Sequence, residues 1–137
     1  MSKPHLLRKL RSQTLTHLAP STVHGVGVFA SVDIPRDTPP FKTRRPGERL
    51  VGLTPTDIDA LPPHVAPRVR AFFPPDDDGV CWVSSFGLVG MDMTFYLNSS
   101  TTPNLELSGS DGRYMGFRTL RDVSAGEELT FSYHVEK

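Results

Sequence analysis

The stretch Arg121-Asp122-Val123-Ser124-Ala125-Gly126-Glu127-Glu128-Leu129-Thr130-Phe131-Ser132-Tyr133 decides how the whole chain is understood. Ser124-Ala125-Gly126 is a turn signal, because glycine adopts backbone angles that other residues avoid. Two acids follow, and then Leu129 to Tyr133 alternate apolar and polar residues. Alternation with a period of two marks a half-buried strand, since successive side chains point to opposite faces. Taken alone, Tyr133 is a strand-end aromatic.

Two upstream segments carry comparable signals. In His24-Gly25-Val26-Gly27-Val28-Phe29-Ala30, glycines open a β-branched run, which predicts a tight turn entering a strand. A lone GxG lacks the third glycine and the following helix of a dinucleotide fingerprint, so it does not point to that ligand class. In Phe95-Tyr96-Leu97-Asn98-Ser99-Ser100-Thr101-Thr102-Pro103-Asn104, an aromatic-apolar lead runs into polar residues that hydrogen-bond their own backbone. That composition predicts a compact irregular loop. Asn98 offers both donors and acceptors, as adenine recognition requires.

The remaining chain reads as short strands around one helical insertion. Residues 1–12 are basic and weakly patterned, which predicts a flexible arm or a first short strand within residues 1–15. A strand is expected at Thr14–Leu18. Twelve of the thirteen prolines precede residue 76, and ten of them crowd a segment, about 35–75, unsuited to a sheet interior. Within it, Thr54 or Thr56 can cap a short turn through Asp57–Leu61. Val65, Val69, Phe72 and Phe73 share one helical face. Asp76–Gly79 reads as an exposed turn, because its aspartates lack the alternating spacing of a calcium loop. Strands are expected at Cys81–Leu88 and at Leu129–Tyr133. A hairpin is expected from Leu105–Leu107 and Tyr114–Leu120, joined by Ser108–Gly112.

Composition bounds the function. The 137 residues suffice for one domain with its own core. The single cysteine, Cys81, excludes an internal disulfide and a cysteine-based structural zinc site, so no metal is expected. It packs best as a small core hydrophobe, and a reducing intracellular compartment is the simplest setting. No apolar run approaches a membrane span, and no secretory leader is recognisable. Net charge is zero, yet residues 1–50 carry nine Lys+Arg against three Asp+Glu, and residues 51–137 carry six against twelve. An acidic C-terminal half suits a basic partner and argues against direct nucleic-acid binding.

The three segments, in this order, resemble the SET-domain family of protein-lysine methyltransferases, and most closely its short stand-alone members. The family pattern of GxG-V/L-F-A, then F-I/L-N-H-S-C-x-P-N, then R-D-I-x-A-G-E-E-L-T-F-D-Y is matched by Gly25–Ala30, Tyr96–Asn104 and Arg121–Tyr133. The resemblance spans about residues 16–134. It implies a mostly β, β-clip-like fold of several small sheets. A C-terminal pseudoknot and a helix-bearing insertion at about 42–80 belong to that fold, in a domain running 16–137.

The resemblance also implies roles. His24, Gly25, Val26 and Gly27 would present backbone to S-adenosyl-L-methionine. Asn98 and Ser99 would hold its adenine end. Tyr133 would sit at the methyl-transfer point, contacting cofactor and substrate. Phe131 and Tyr96 would line the lysine channel. The implied substrate is a lysine-containing protein, with a histone tail as the family default. A second copy of the chain, or the 1–12 arm, is expected to close the channel, which makes a homodimer a candidate assembly. Ser99 stands where the family has His, Thr101 where it often has Cys, Phe95 where Arg is common and Ser132 where Asp is frequent. An alternative reading from another class is therefore a non-catalytic SET-like module that binds a basic peptide.

Overall fold

A computed structural model describes residues 2–41, 49–110 and 115–132. Its elements fall into two compact units. One comprises the described residues up to 41, together with 96–110 and 115–132; the other comprises 49–95.

The first unit is built on a four-stranded sheet. Strand β1 (Thr16–Pro20) pairs antiparallel with β2 (Val26–Ala30), Thr16 opposite Ala30 and Pro20 opposite Val26. Strand β8 (Glu128–Phe131) lies antiparallel to β2, with Val28 opposite Leu129. On its other side β8 pairs in parallel with the two-residue β5 (Asn98–Ser99), Asn98 opposite Thr130 and Ser99 opposite Phe131. The strand order is therefore β1-β2-β8-β5, and the last strand of the chain occupies an inner position. Leu129 and Val28 are fully buried there, and Thr130 beside Leu129 is buried as well, as befits an inner strand. Strands β6 (Leu105–Ser110) and β7 (Met115–Thr119) form the expected hairpin, whose tip falls outside the described residues.

The turn that feeds β8 is pinned before the strand begins. Ile34 and Val123 exchange both backbone hydrogen bonds, at 2.7 and 2.8 Å. Gly126, at φ +91°, donates its N–H to the Ala30 carbonyl at 2.8 Å. Asp33 accepts from the Ala125 N–H and Asp122 from the Arg36 N–H, both at 2.8 Å.

Residues 3–13 correct the expectation of an arm or first strand, since Lys3–Gln13 form a helix, α1. Ser2 caps it by accepting from the His5 N–H at 3.2 Å, and Pro4 sits in its first turn, where a missing N–H costs nothing. None of its residues is buried.

The second unit has an apolar core. Strands β3 (Leu50–Leu53) and β4 (Cys81–Ser84) pair antiparallel. Helix α2 (Pro55–Asp59) begins with a full capping box: Thr54 accepts from the Asp57 N–H and Asp57 accepts from the Thr54 N–H. Helix α3 (Ala66–Phe72) follows. Ile58, Ala66, Val69, Phe73, Cys81 and Val83 form one buried cluster, so Cys81 is a core residue. The strand expected at Cys81–Leu88 is shorter, because the chain turns after Ser84 and Gly87 takes φ +69°. Asp76 closes the Asp76–Gly79 turn on itself by accepting from the N–H groups of Asp78 and Val80, both at 2.9 Å. Among the described residues no His/Cys/Asp/Glu group could hold a metal ion, and no helix is long and apolar enough to cross a membrane.

Candidate active site

The site is built where β2, β5 and β8 lie side by side. Parallel pairing with β8 sets Asn98 beside the turn that precedes β2, although more than seventy residues separate them in sequence. The side-chain amide of Asn98 donates into a ring of acceptors: the His24 carbonyl at 3.0 Å, the Val26 carbonyl at 3.4 Å, Ser21 Oγ at 3.2 Å and Glu128 Oε2 at 2.8 Å. Two carbonyls and a carboxylate can only accept, which fixes the amide with its nitrogen toward the turn. Its two N–H groups are shared among these acceptors.

The turn is closed by its own backbone. Ser21 donates its N–H to the Gly25 carbonyl at 2.8 Å, and Ser21 Oγ accepts from the N–H groups of Val23 and His24 at 2.9 and 3.4 Å. Gly25 adopts φ +49°, and a side chain built there would meet nothing within 4 Å. That side of the backbone is open to a ligand. Gly27 is the opposite case. A Cβ there would overlap Glu128 Oε2, stand 2.8 Å from its Cδ and 3.1 Å from Ser21 Cβ. Only glycine lets the strand lie this close to the carboxylate.

A second asparagine, Asn104, holds β8 from its other edge. It is 2% exposed, donates to the Glu128 carbonyl at 2.8 Å and accepts from the Thr130 N–H at 2.8 Å. Its backbone N–H also reaches the Thr130 carbonyl at 3.2 Å. A buried side chain that completes strand hydrogen bonds in this way makes β8 an obligate part of the fold.

Beyond Ser99, the Ser100 N–H donates to the Phe131 carbonyl at 3.1 Å. The Phe131 ring packs edge-on against Phe117 at 5.2 Å, and Phe41 packs edge-on against the same ring at 6.0 Å. Phe117 thus backs Phe131, the residue expected to line a lysine channel. Tyr96 is 38% exposed at the end of a short 3-10 turn, Met93–Tyr96. Tyr133 lies outside the described residues, two positions past the end of β8, as does the threading of the chain end expected for a pseudoknot.

The fold thus unites His24, Gly25, Val26 and Gly27 with Asn98, and Ser99 with Phe131. Ser21, Glu128 and Asn104 also belong to the arrangement, and the sequence reading assigned them no role. Gly27 was the available signal for Glu128, because glycine inside a strand marks a close approach. Glu127, the neighbouring acid, has a different environment. The Arg121 guanidinium at 2.9 Å, and then the Ser124 N–H, hold its carboxyl below the ordinary carboxylate value.

Comparison with known proteins agrees with this fold. The family model of the SET domain matches residues 25–134. No curated protein matches the sequence significantly. Many solved chains share the fold. One is the crystal structure of a Plasmodium falciparum protein described as a candidate histone methyltransferase. It superposes with a TM-score of 0.55 at 15% identity, covering 90% of this chain and 96% of that one.

Proposed function

Because the chain belongs to the SET-domain family, we propose that it transfers methyl groups from S-adenosylmethionine to a lysine side chain of a protein substrate, with histone tails the foremost candidates. The observation that carries this reading is the convergence of Asn98 on the His24–Gly27 turn, whose Gly25 backbone is open on one side. An open positive-φ glycine beside a fixed polar side chain fits a ligand that must be approached by backbone groups.

His24, Gly25, Val26 and Gly27, with Asn98 and Ser99, are the residues that would hold the cofactor. The cofactor supplies an electrophilic methyl group, so the protein needs neither a metal nor a strong nucleophile of its own. What the chain must provide is a neutral amine in line with that methyl. Free lysine has a pKa of about 10.4, and presenting it neutral near pH 7 costs roughly 4–5 kcal/mol. An apolar wall lowers that cost by disfavouring the ammonium form. Phe131, with Phe117 packed edge-on against it and Phe41 behind Phe117, supplies such a wall. Alignment of the two reactants then provides several kcal/mol more. Tyr133 acts in this scheme through its hydroxyl and its shape, aligning the amine. Closure of the channel by a second copy remains part of the proposal, with light scattering on the eluted protein as its check, and so does an intracellular setting.

Incubation with labelled cofactor and histones, or a native lysate, tests the reaction. Wild type is expected to transfer label and Tyr133→Phe to lose most of it. Equal transfer by Tyr133→Phe removes the role given to that residue. Binding of a basic peptide with no cofactor binding would favour the non-catalytic module.

A further inference from the structure

Glu127 and Glu128 are adjacent acids with opposite surroundings. Glu127 pairs with Arg121. Among the described residues no Lys or Arg pairs with Glu128; its carboxylate is met instead by neutral donors, the Ser21 hydroxyl at 2.6 Å and the Asn98 amide at 2.8 Å. Those two donors are the same groups that bind the 21–26 turn. Ser21 accepts from the N–H groups of Val23 and His24, and Asn98 donates to the carbonyls of His24 and Val26. The close approach of Gly27 leaves the carboxylate little room to turn away.

The geometry points to Glu128 as a positioning residue for the cofactor-binding turn: its carboxylate orients Ser21 and Asn98 so that together they fix the His24–Gly27 backbone. This inference rests on the cofactor reading above. The reason lies in donor counting. Two carboxylate oxygens accept one hydrogen bond each from Ser21 and Asn98. The serine hydrogen then points to Glu128, and its lone pairs face the Val23 and His24 amides and the longer Asn98 contact at 3.2 Å. Glutamine has the same shape but one donor end. Set against Asn98, that NH2 group opposes another NH2 group. Set against Ser21, it takes a lone pair that the Val23 and His24 amides use. Either orientation loosens the turn.

Two readouts on Glu128→Gln test this. The first is amide hydrogen exchange of the cofactor-free protein. The Val23 and His24 amides are expected to exchange about tenfold faster than in wild type, with core amides of β2 and β8 unchanged. The second is the split between cofactor affinity and turnover. The cofactor Kd is expected to weaken about tenfold, while kcat at saturating cofactor stays within about twofold. Ser21→Ala removes the direct acceptor of both amides and sets the full size of the local exchange effect, and Glu128→Asp, which keeps the charge but shortens the reach, stands in if Glu128→Gln folds poorly. Unchanged exchange at Val23 and His24 in a folded Glu128 variant overturns the inference. So does uniform acceleration of all amides, which would make Glu128 a general brace. A wild-type protein that binds no cofactor defeats the cofactor reading, and the exchange result still decides whether Glu128 holds the turn.

Discussion

The sheet that carries Asn98 and Glu128 and the unit built on α2 and α3 are held together by different chemistry. In the second unit, side chains such as Ile58, Val69, Phe73 and Cys81 make one apolar cluster, and Phe73 and Phe95 meet edge-on at 5.1 Å. Most of its side-chain hydrogen bonds are local, as in the Thr54–Asp57 box and the turn closed by Asp76, and the farthest-reaching of those described, from the Arg49 N–H to Ser85, spans 36 positions. In the first unit, polar side chains span the chain. Ser21 reaches Glu128 across 107 positions, and Asn104 satisfies the Glu128 carbonyl and the Thr130 N–H along one edge of β8. Apolar packing tolerates substitutions that keep volume, whereas a buried polar network fails when one member is lost. The contrast teaches that specificity is concentrated in the first unit and ordinary cohesion in the second.

Substitutions in the two regions should separate accordingly. Phe73→Ala is expected to cost about 3–5 kcal/mol in denaturant unfolding, since it empties a large core position. The folded fraction should keep its cofactor affinity. Asn104→Ala strands the Glu128 carbonyl and the Thr130 N–H, at about 1–3 kcal/mol each. Unlike Phe73→Ala, it should also weaken cofactor binding, because β8 carries the site. If both variants affected stability and binding alike, the contrast between the regions would collapse. Thr54→Ala removes the α2 cap and is expected to cost about 1 kcal/mol, with binding untouched.

The smallest effect concerns acid. Glu127 titrates below its ordinary value in the folded protein, so it contributes stability above pH 4.5. That contribution is lost as pH falls through the lower, folded value. Asp76 behaves in the same direction, because the Trp82 indole N–H and the Val80 N–H favour its charged form. Both groups are solvated, so the expected effect is small. Glu127→Gln should flatten the fall in stability below pH 4.5 and leave neutral-pH stability little changed, by thermal unfolding across a pH series.

How much of this was legible depended on whether a local pattern existed. The turns and strands around Gly25–Ala30 and Glu128–Phe131 follow from glycine placement and alternation. The capping Thr54 and the Val69–Phe73 face were legible for the same reason. Strand β3 was not anticipated, because Leu50-Val51-Gly52-Leu53 neither alternates nor escapes its proline-rich surroundings. Strand β5 has two residues, too few for any periodicity. Helix α1 was misjudged because its leucines stay exposed among basic residues, although Ser2 and Pro4 were start signals. The segments of the site were found through their resemblance to a family. The Ser21–Glu128 contact was not found, since a pair so distant in sequence leaves no trace in either neighbourhood.

The central claim is that the His24–Gly27 turn, with Asn98 across from it, forms the cofactor cradle. Calorimetric titration of wild type and Gly27→Ala with S-adenosylmethionine tests it most directly, because a Cβ at residue 27 must displace the Glu128 carboxylate. Wild type is expected to bind one equivalent, and folded Gly27→Ala to bind at least about tenfold more weakly. Absence of binding by wild type at millimolar cofactor, or equal binding by the two proteins, would contradict that claim.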